Sequence, residues 1–372
     1  MVSGTAEGAG LRIVPGAGAG KEAPANATPP ASLHIMHVIL SRGFAGSERA
    51  AAEACNAMCA EHEVSLVVRR DHRHESGASV RDYVDPRVRV FEVPARWFTR
   101  RRLAAAIREA RPQVIHTHLR RGTRYVAQIA PDAAHFCTLH LSLNGPHFLK
   151  ADGLVCITEW QFDTVPADYR GRVFLVPNSL IPQPRLPDAE VQRLRASLGV
   201  RPSDFLVGGV GRLAESKGFD VLIRAFGEAN LPGGRLVIVG EGRERRRLES
   251  LAGSGVTFTG YRADAKVLFQ AFDVFVSPSR SEPFGRVIIE ALDAGVPVIA
   301  TEALGPRDIA RRFPVELVPI DDVTAMAGAL RRAAKRPRRR LTLDLSEFHV
   351  ERVATRLVEA YRDVLATQPA RS

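Results

Sequence analysis

Val274-Phe275-Val276-Ser277-Pro278-Ser279-Arg280-Ser281-Glu282-Pro283-Phe284-Gly285-Arg286-Val287-Ile288-Ile289-Glu290 begins as an unbroken apolar strand and passes through a loop of small and polar residues into a helix. The helix is expected to run on to Ala294, and a second short apolar strand, Val298–Ala300, follows it. A strand that is apolar on both faces must be covered on both sides, which is the situation of a parallel sheet flanked by helices.

The same alternation extends outward in both directions. Upstream lie apolar strands at Phe205–Val210, Leu236–Val239 and Val256–Thr259, separated by helical stretches. A break follows at Pro177, Pro182, Pro184 and Pro187, a linker composition with a short helix at Glu190–Leu198 inside it. Before the break a second series appears: strands at Leu33–Leu40, Val64–Val68, Val88–Val93, Val114–Thr117, Phe136–Leu139 and Leu154–Ile157, with helices near Glu48–Ala60 and Arg102–Ala110. The 372 residues therefore suit two α/β domains rather than one core. The expected division is a Gly/Ala/Pro-rich disordered tail at 1–32, an N-terminal Rossmann-like domain at 33–178, a linker at 179–203, and a C-terminal Rossmann-like domain at 204–345. A last amphipathic helix within 346–372 carries Val350, Val353, Leu357, Tyr361 and Leu365 at helical spacing and must pack on something.

Composition narrows the function classes. No uncharged apolar run reaches the ~18–20 residues of a membrane-spanning helix, and the N-terminus lacks the basic and apolar regions of a secretory signal. A cytoplasmic location is expected, with Cys55, Cys59, Cys137 and Cys156 as reduced structural thiols. Gly18-Ala19-Gly20-Lys21 resembles a phosphate loop, but Pro15 and Glu22 occupy positions that need Gly and Ser/Thr. The net charge of +11 comes in arginine bursts at 100–102, 243–247 and 331–340. A nucleic-acid partner is not expected, because aromatics make up only 6% and no nucleic-acid motif is present. Trp97-Phe98-Thr99-Arg100-Arg101-Arg102 reads either as core or as a patch for peripheral contact with anionic membrane at its inner face.

In open α/β sheets ligands sit beyond the carboxyl ends of the strands, so the informative residues follow strands. Gly208-Gly209-Val210-Gly211-Arg212-Leu213, with Lys217 five residues after Arg212, offers a planar guanidinium and a mobile ammonium, a pair suited to a diphosphate. In the opening stretch, Glu282 and Glu290 are eight apart, which predicts one helix face, and they are acceptors for hydroxyls beside that diphosphate. Pro283 is expected in the first helical turn, where amide groups would bind an anion.

Ser-Arg-Ser-Glu-Pro-Phe-Gly-Arg-Val-Ile-Ile-Glu, taken with Gly-Arg-Leu-Ala-Glu-Ser-Lys-Gly, resembles family 4 of the retaining glycosyltransferases with the GT-B fold. The resemblance implies two Rossmann-like domains facing across a cleft, with the C-terminal helix crossing back to the N-terminal domain. It implies sugar transfer from a nucleotide-diphosphate sugar to a glycan or lipid-linked acceptor, in lipopolysaccharide or other surface-polysaccharide synthesis. Arg212 and Lys217 would clamp the diphosphate. Glu282 would act at the donor sugar and Glu290 on the ribose, with the backbone of Phe284, Gly285 and Arg286 completing the donor site. The loop Gly43–Glu48, with Gly46, would lie near the phosphates, and His118 would reach the reacting centre. His140 is a secondary candidate, Asn178 matches a hinge position, and His116 reads as structural. Two departures stand out: Leu304-Gly305-Pro306-Arg307-Asp308 replaces Gly-Gly-x-x-Glu, and Ser179 replaces Gly after Asn178. No Asp-x-Asp occurs, so neither a metal nor another cofactor is expected. The rival readings are a sugar-nucleotide epimerase on the same fold and a basic nucleic-acid-binding protein.

Overall fold

The computed structural model describes residues 31–42, 46–72 and 79–367, together with the backbone of 12–14. The chain forms two compact units, Met1–Ser179 with Glu347–Ser372, and Leu180–Ser346.

The first unit holds β1 (Arg12–Val14), β2 (His34–Ile39), β3 (Glu63–Arg69), β4 (Arg89–Val93), β5 (Val114–His118), β6 (Ala134–Leu139), β7 (Gly153–Cys156) and β8 (Arg172–Leu175). They lie in the order β1-β8-β7-β6-β5-β2-β3-β4, all parallel except β1. Their apolar runs are continuous because helices cover both faces. The helices Gly46–Met58 and Val350–Thr367 pack together on one face, burying Val353, Leu357 and Tyr361 with Ile35, Val64 and Phe136. The last helix thus completes the core of the N-terminal unit.

Part of the expected tail is strand. Arg12–Val14 pairs antiparallel with β8, from Arg12 opposite Leu175 to Val14 opposite Val173. The open edge of β8 offers an unpaired row of backbone groups, and β-branched Ile13 and Val14 suit it. Gly18–Lys21 lies outside the described residues.

The second unit holds β9 (Phe205–Val210), β10 (Gly234–Val239), β11 (Val256–Gly260), β12 (Val274–Ser277), β13 (Val298–Thr301) and β14 (Val315–Val318), all parallel, in the order β11-β10-β9-β12-β13-β14. The short, half-polar β14 has no counterpart in the sequence reading. Residues 180–203 belong to this unit rather than forming a free linker. The helix Asp188–Ser197 is pinned by Arg195, 3% exposed, whose guanidinium meets Asp273 at 3.1 Å and the Ala271 carbonyl at 2.8 Å. Proline composition signalled a break in periodicity but not this anchor. Both sheets are Rossmann-like, and together they make the α/β GT-B fold.

Candidate active site

In the second sheet the strand order reverses between β9 and β12. The chain leaves β9 toward β10 and β11, then returns to place β12 on the other flank of β9. Two neighbouring strands whose connections diverge leave room above their carboxyl ends. The loop after β9 carries Gly211–Gly218, and the loop after β12 carries 278–285.

The two loops are fastened to each other. The Arg280 and Ser281 amides both donate to the Ser216 carbonyl, at 2.9 and 3.2 Å. Arg280 itself is bound to Asp220 through two 2.9 Å bonds and to Asp321 at 2.7 Å, so its role is structural. At Gly218 the backbone is left-handed (φ 63°), and a Cβ would stand 2.0 Å from the Pro278 carbonyl oxygen. Glycine is required there twice over, by conformation and by approach.

This fastening brings Lys217 to Glu282, with Nζ 2.6 Å from Oε2 and the carboxylate mostly buried. Arg212, earlier in the same loop as Lys217, is exposed and makes no ion pair among the described residues. The helix opens later than the sequence suggested: it spans Arg286–Asp293, leaving Pro283 in a bend and Glu282 in the loop. Glu282 and Glu290 therefore do not share a helix face. Glu290 is partly buried inside the helix, whereas Glu282 is held from below by its own carbonyl, which accepts from the Gly305 amide at 2.9 Å. A Cβ at Gly305 would lie 2.4 Å from the Phe284 carbonyl oxygen. The Leu304–Asp308 variant thus supports the backbone that carries Glu282 and Phe284. Phe284 and Gly285 are buried, while Arg286 is partly exposed. Thr301 adds a hydroxyl bond to the Ser279 carbonyl at 2.5 Å. Sequence reasoning missed these supports, and the glycine inside Leu304–Ala310 was their only signal.

In the first sheet the reversal falls between β2 and β5. Gly46 begins the helix after β2, and Gly43–Ala45 lie outside the described residues. His118 ends β5, and the chain turns so sharply that Leu119 adopts φ 63°. The sequence placed His118 at the reacting centre, yet it is 4% exposed and both ring nitrogens are engaged. Nε2 meets His37 Nδ1 at 2.9 Å, and Nδ1 meets His140 Nε2 at 2.9 Å. His140, at the carboxyl end of β6, is only partly buried. His116 is held between Tyr361 Oη at 2.5 Å and Thr138 Oγ1 at 2.6 Å. Burial depresses the basicity of His116 and His118 well below the ordinary range, reinforced by their neighbouring histidines, and takes His37 down to about 4. The cluster is neutral near pH 7. His37 was overlooked, although a histidine inside an otherwise apolar strand was a signal. Asn178 is partly buried, one residue before the boundary between the units.

His37, His116 and His118 bring ring nitrogens within 4.8 Å of one another. Five of those six nitrogens, all but His37 Nε2, already have partners, so the trio offers no open coordination sphere. The four cysteines are buried and unbridged. Burial pushes Cys137 up to about 11 and Cys156 up to about 12, which makes them packing residues.

The arginine bursts divide by role. Arg245 pairs with Glu241 and Glu249, and Arg247 with Glu244 and Asp220. Arg332 pairs with Glu316, Arg338 bonds the Pro202 carbonyl, and Arg340 bonds the Phe272 carbonyl. These clusters fasten the fold. Arg100, Arg101 and Arg102 are exposed, and so are Trp97 at 80% and Phe98 at 70%, which removes the core reading of both aromatics.

Comparison with known proteins agrees with this architecture. The family described as glycosyl transferases group 1 matches residues 204–336, the span that holds the loops after β9 and β12. The lipopolysaccharide core biosynthesis glycosyltransferase LpsD of Rhizobium meliloti (strain 1021) is 30% identical over 306 residues, covering 78% of this chain and 84% of that protein. LpsE of the same organism is 35% identical over 184 residues, 47% of this chain and 54% of that protein. Among solved structures, the Anabaena protein HepE in complex with UDP and glucose superposes with a TM-score of 0.69 at 19% identity, over 90% of this chain and 96% of that one. A glycosyltransferase from Rickettsia africae gives 0.71 at 15% identity, over 91% and 100%. With its two Rossmann-like units, the family match over 204–336 and a relative matched along most of its length, the chain belongs to the group 1 glycosyl transferases.

Proposed function

We propose that this glycosyltransferase moves a hexose from a nucleotide-diphosphate sugar, with retention of anomeric configuration, to a glycan or lipid-linked acceptor in lipopolysaccharide or related surface-polysaccharide synthesis. The observation that carries the reading is the fastening of the two loops at the reversal of the second sheet, which brings Lys217 to Glu282. Arg212 and Lys217 neutralise the diphosphate, so that no metal or other cofactor is needed. Lys217 must exchange Glu282 for phosphate oxygens, which frees the carboxylate to accept from donor-sugar hydroxyls. Glu290 takes the ribose hydroxyls, and Phe284, Gly285 and Arg286 present backbone to the donor. Gly46 and the histidine chain ending in His140 serve the same reaction from the first unit, and Asn178 serves as the hinge.

Retention proceeds by front-face displacement. The bond from the anomeric carbon to the diphosphate oxygen breaks as the bond to the acceptor oxygen forms on the same face. The leaving diphosphate oxygen receives the acceptor's proton. The names of LpsD and LpsE support the surface-polysaccharide role, and the UDP complexes of HepE support a nucleoside diphosphate as leaving group. Among the described residues no helix is long and apolar enough to cross a membrane. We assign the protein to the cytoplasm, docked on the inner face of an anionic membrane through Trp97, Phe98 and Arg100–Arg102.

The test is Glu282→Ala assayed with a panel of nucleotide sugars. Turnover should fall by roughly a hundredfold or more, while thermal shifts with the free nucleoside diphosphate persist. An unimpaired variant overturns the assignment of Glu282. Activity abolished by chelator and restored by magnesium overturns metal independence.

A further inference from the structure

The helix Leu119–Ile129, which leaves the carboxyl end of β5, carries Arg120, Arg121 and Arg124 and no acid. Arg121 is occupied, donating to the Ala95 carbonyl. Arg120 and Arg124 are exposed, stand four apart on one helix face, and make no ion pair among the described residues. Like charges at that spacing disfavour a helix. In the second unit the arginine bursts are neutralised by Glu241, Glu249, Asp220 and Glu316; this pair has no such partner.

The segment facing the pair is tightly built. Phe148–Lys150, a single turn, packs on the helix and ends in the exposed Lys150. Gly145 has a left-handed backbone (φ 127°), and a Cβ there would stand 2.7 Å from His147 Cε1, so the loop closes over the imidazole. The His147 ring lies against Phe148 with centroids 4.8 Å apart. His147 is 8% exposed, and its Nε2 is buried without a hydrogen-bond partner. Burial lowers its basicity first, and the positive charges of Arg120 and Arg124 lower it further. Between helix and loop lies a small recess lined by Arg120, Ser142, Asn144 and Phe148, with His140 at its border. Cationic groups thus converge on this recess from two elements, with hydroxyl and amide side chains beside them.

We propose that this recess is a phosphate-binding site of the first unit, in which Arg120 and Arg124 hold a phosphomonoester carried on a saccharide while Ser142 and Asn144 meet the neighbouring hydroxyls. Paired guanidinium forks match phosphate oxygens, and hydroxyl and amide groups, which donate and accept, match the polar edge of a sugar. His147 lies behind the arginines and registers the arrival of negative charge. The site is complete within one unit. Identifying the saccharide with the acceptor rests on the glycosyltransferase reading given above; the phosphate site does not.

The test uses the full chain with histidine-selective ¹³C labelling, the His147 signal being assigned by its loss in His147→Asn. At pH 7 and constant ionic strength, inorganic phosphate and glucose 6-phosphate should each shift that signal saturably, and glucose should not. Arg120→Gln combined with Arg124→Gln should weaken both affinities roughly tenfold or more. The corresponding double lysine variant, which keeps the charge and loses the fork, should fall between. Phosphate is also expected at Arg212 and Lys217, so the titration is repeated in Arg212→Gln, where the His147 shift should persist. A His147 signal that does not move, or that moves equally in the double glutamine variant, overturns the proposal. A response to vesicles containing phosphatidic acid but not to glucose 6-phosphate assigns a lipid headgroup and overturns the saccharide. If the double glutamine variant does not fold, Arg124→Gln alone, expected to weaken phosphate severalfold, takes its place. Phosphate binding without sugar transfer from any donor would leave the site standing and defeat the transferase reading; transfer with no phosphate response would do the reverse.

Discussion

Acid should unfold the first unit through its buried histidines before its carboxylates titrate. Burial holds His37 and His135 at about 4, against 6.5 for an unhindered imidazole. Between those values the unfolded chain binds the protons and the folded one does not, so stability is complete above pH 6.5 and falls as pH drops toward 4. At pH 5 the first 1.5 pH units of the window have been crossed, which removes about 2 kcal/mol for each ring, or about 4 kcal/mol for the two. His116 and His118 are depressed in the same direction by burial and add to the loss. A typical domain has about 5–15 kcal/mol in total, so the unit should be near its limit by pH 5. The carboxylates act elsewhere: Asp85, held at about 2 chiefly by hydrogen bonds from Arg87, titrates only below 3.8. Both tryptophans, Trp97 and Trp160, belong to the first unit, so urea unfolding followed by tryptophan fluorescence reports on it alone. Midpoints at pH 7, 6, 5.5 and 5 should fall steeply. His135→Asn, which cannot titrate, should flatten the slope by about 2 kcal/mol at pH 5. A stability constant from pH 7 to 5, or an unchanged slope in the variant, refutes the reasoning.

Other expectations follow from the second unit and the surface. Gly218→Ala forces a Cβ against the Pro278 carbonyl in a left-handed position. It should cost roughly 1–3 kcal/mol and weaken nucleoside-diphosphate binding, seen as a smaller thermal shift with the nucleotide. Arg195→Met removes the nearer of the two arginines at the buried Asp273 carboxylate, leaving Arg338 at 3.4 Å and the Leu206 amide, and should destabilise the second unit by about 2–3 kcal/mol, read from the far-UV circular dichroism urea midpoint. Replacing Arg100, Arg101 and Arg102 by Ser should abolish flotation with vesicles containing anionic lipid while leaving turnover of a soluble acceptor unchanged. Flotation equal to wild type defeats the docking assignment.

Periodicity and spacing determined most of what the chain is. Apolar runs alternating with helical stretches fixed two parallel-sheet units, because a strand buried on both faces has no other composition open to it. Reading the residues at strand ends singled out the candidate site residues: Arg212 and Lys217 after β9, Glu282 after β12, His118 at the end of β5. What lay outside the sequence was every property that depends on a partner distant along the chain. Glu282 and Glu290 seemed to share a helix face until the Gly305 amide, bound to the Glu282 carbonyl, was seen to hold Glu282 in the loop ahead of the helix. Residues 180–203 looked like a linker because prolines break periodicity locally, whereas Arg195 docks through Asp273, 78 residues away. His118 was legible as a strand-end histidine; its enclosure between His37, 81 residues before it, and His140, 22 after it, was not. Hydrophobic pattern is a local signal and survives in the sequence, but the direction of a hydrogen bond and the exposure of a ring are set by which strands the sheet makes neighbours.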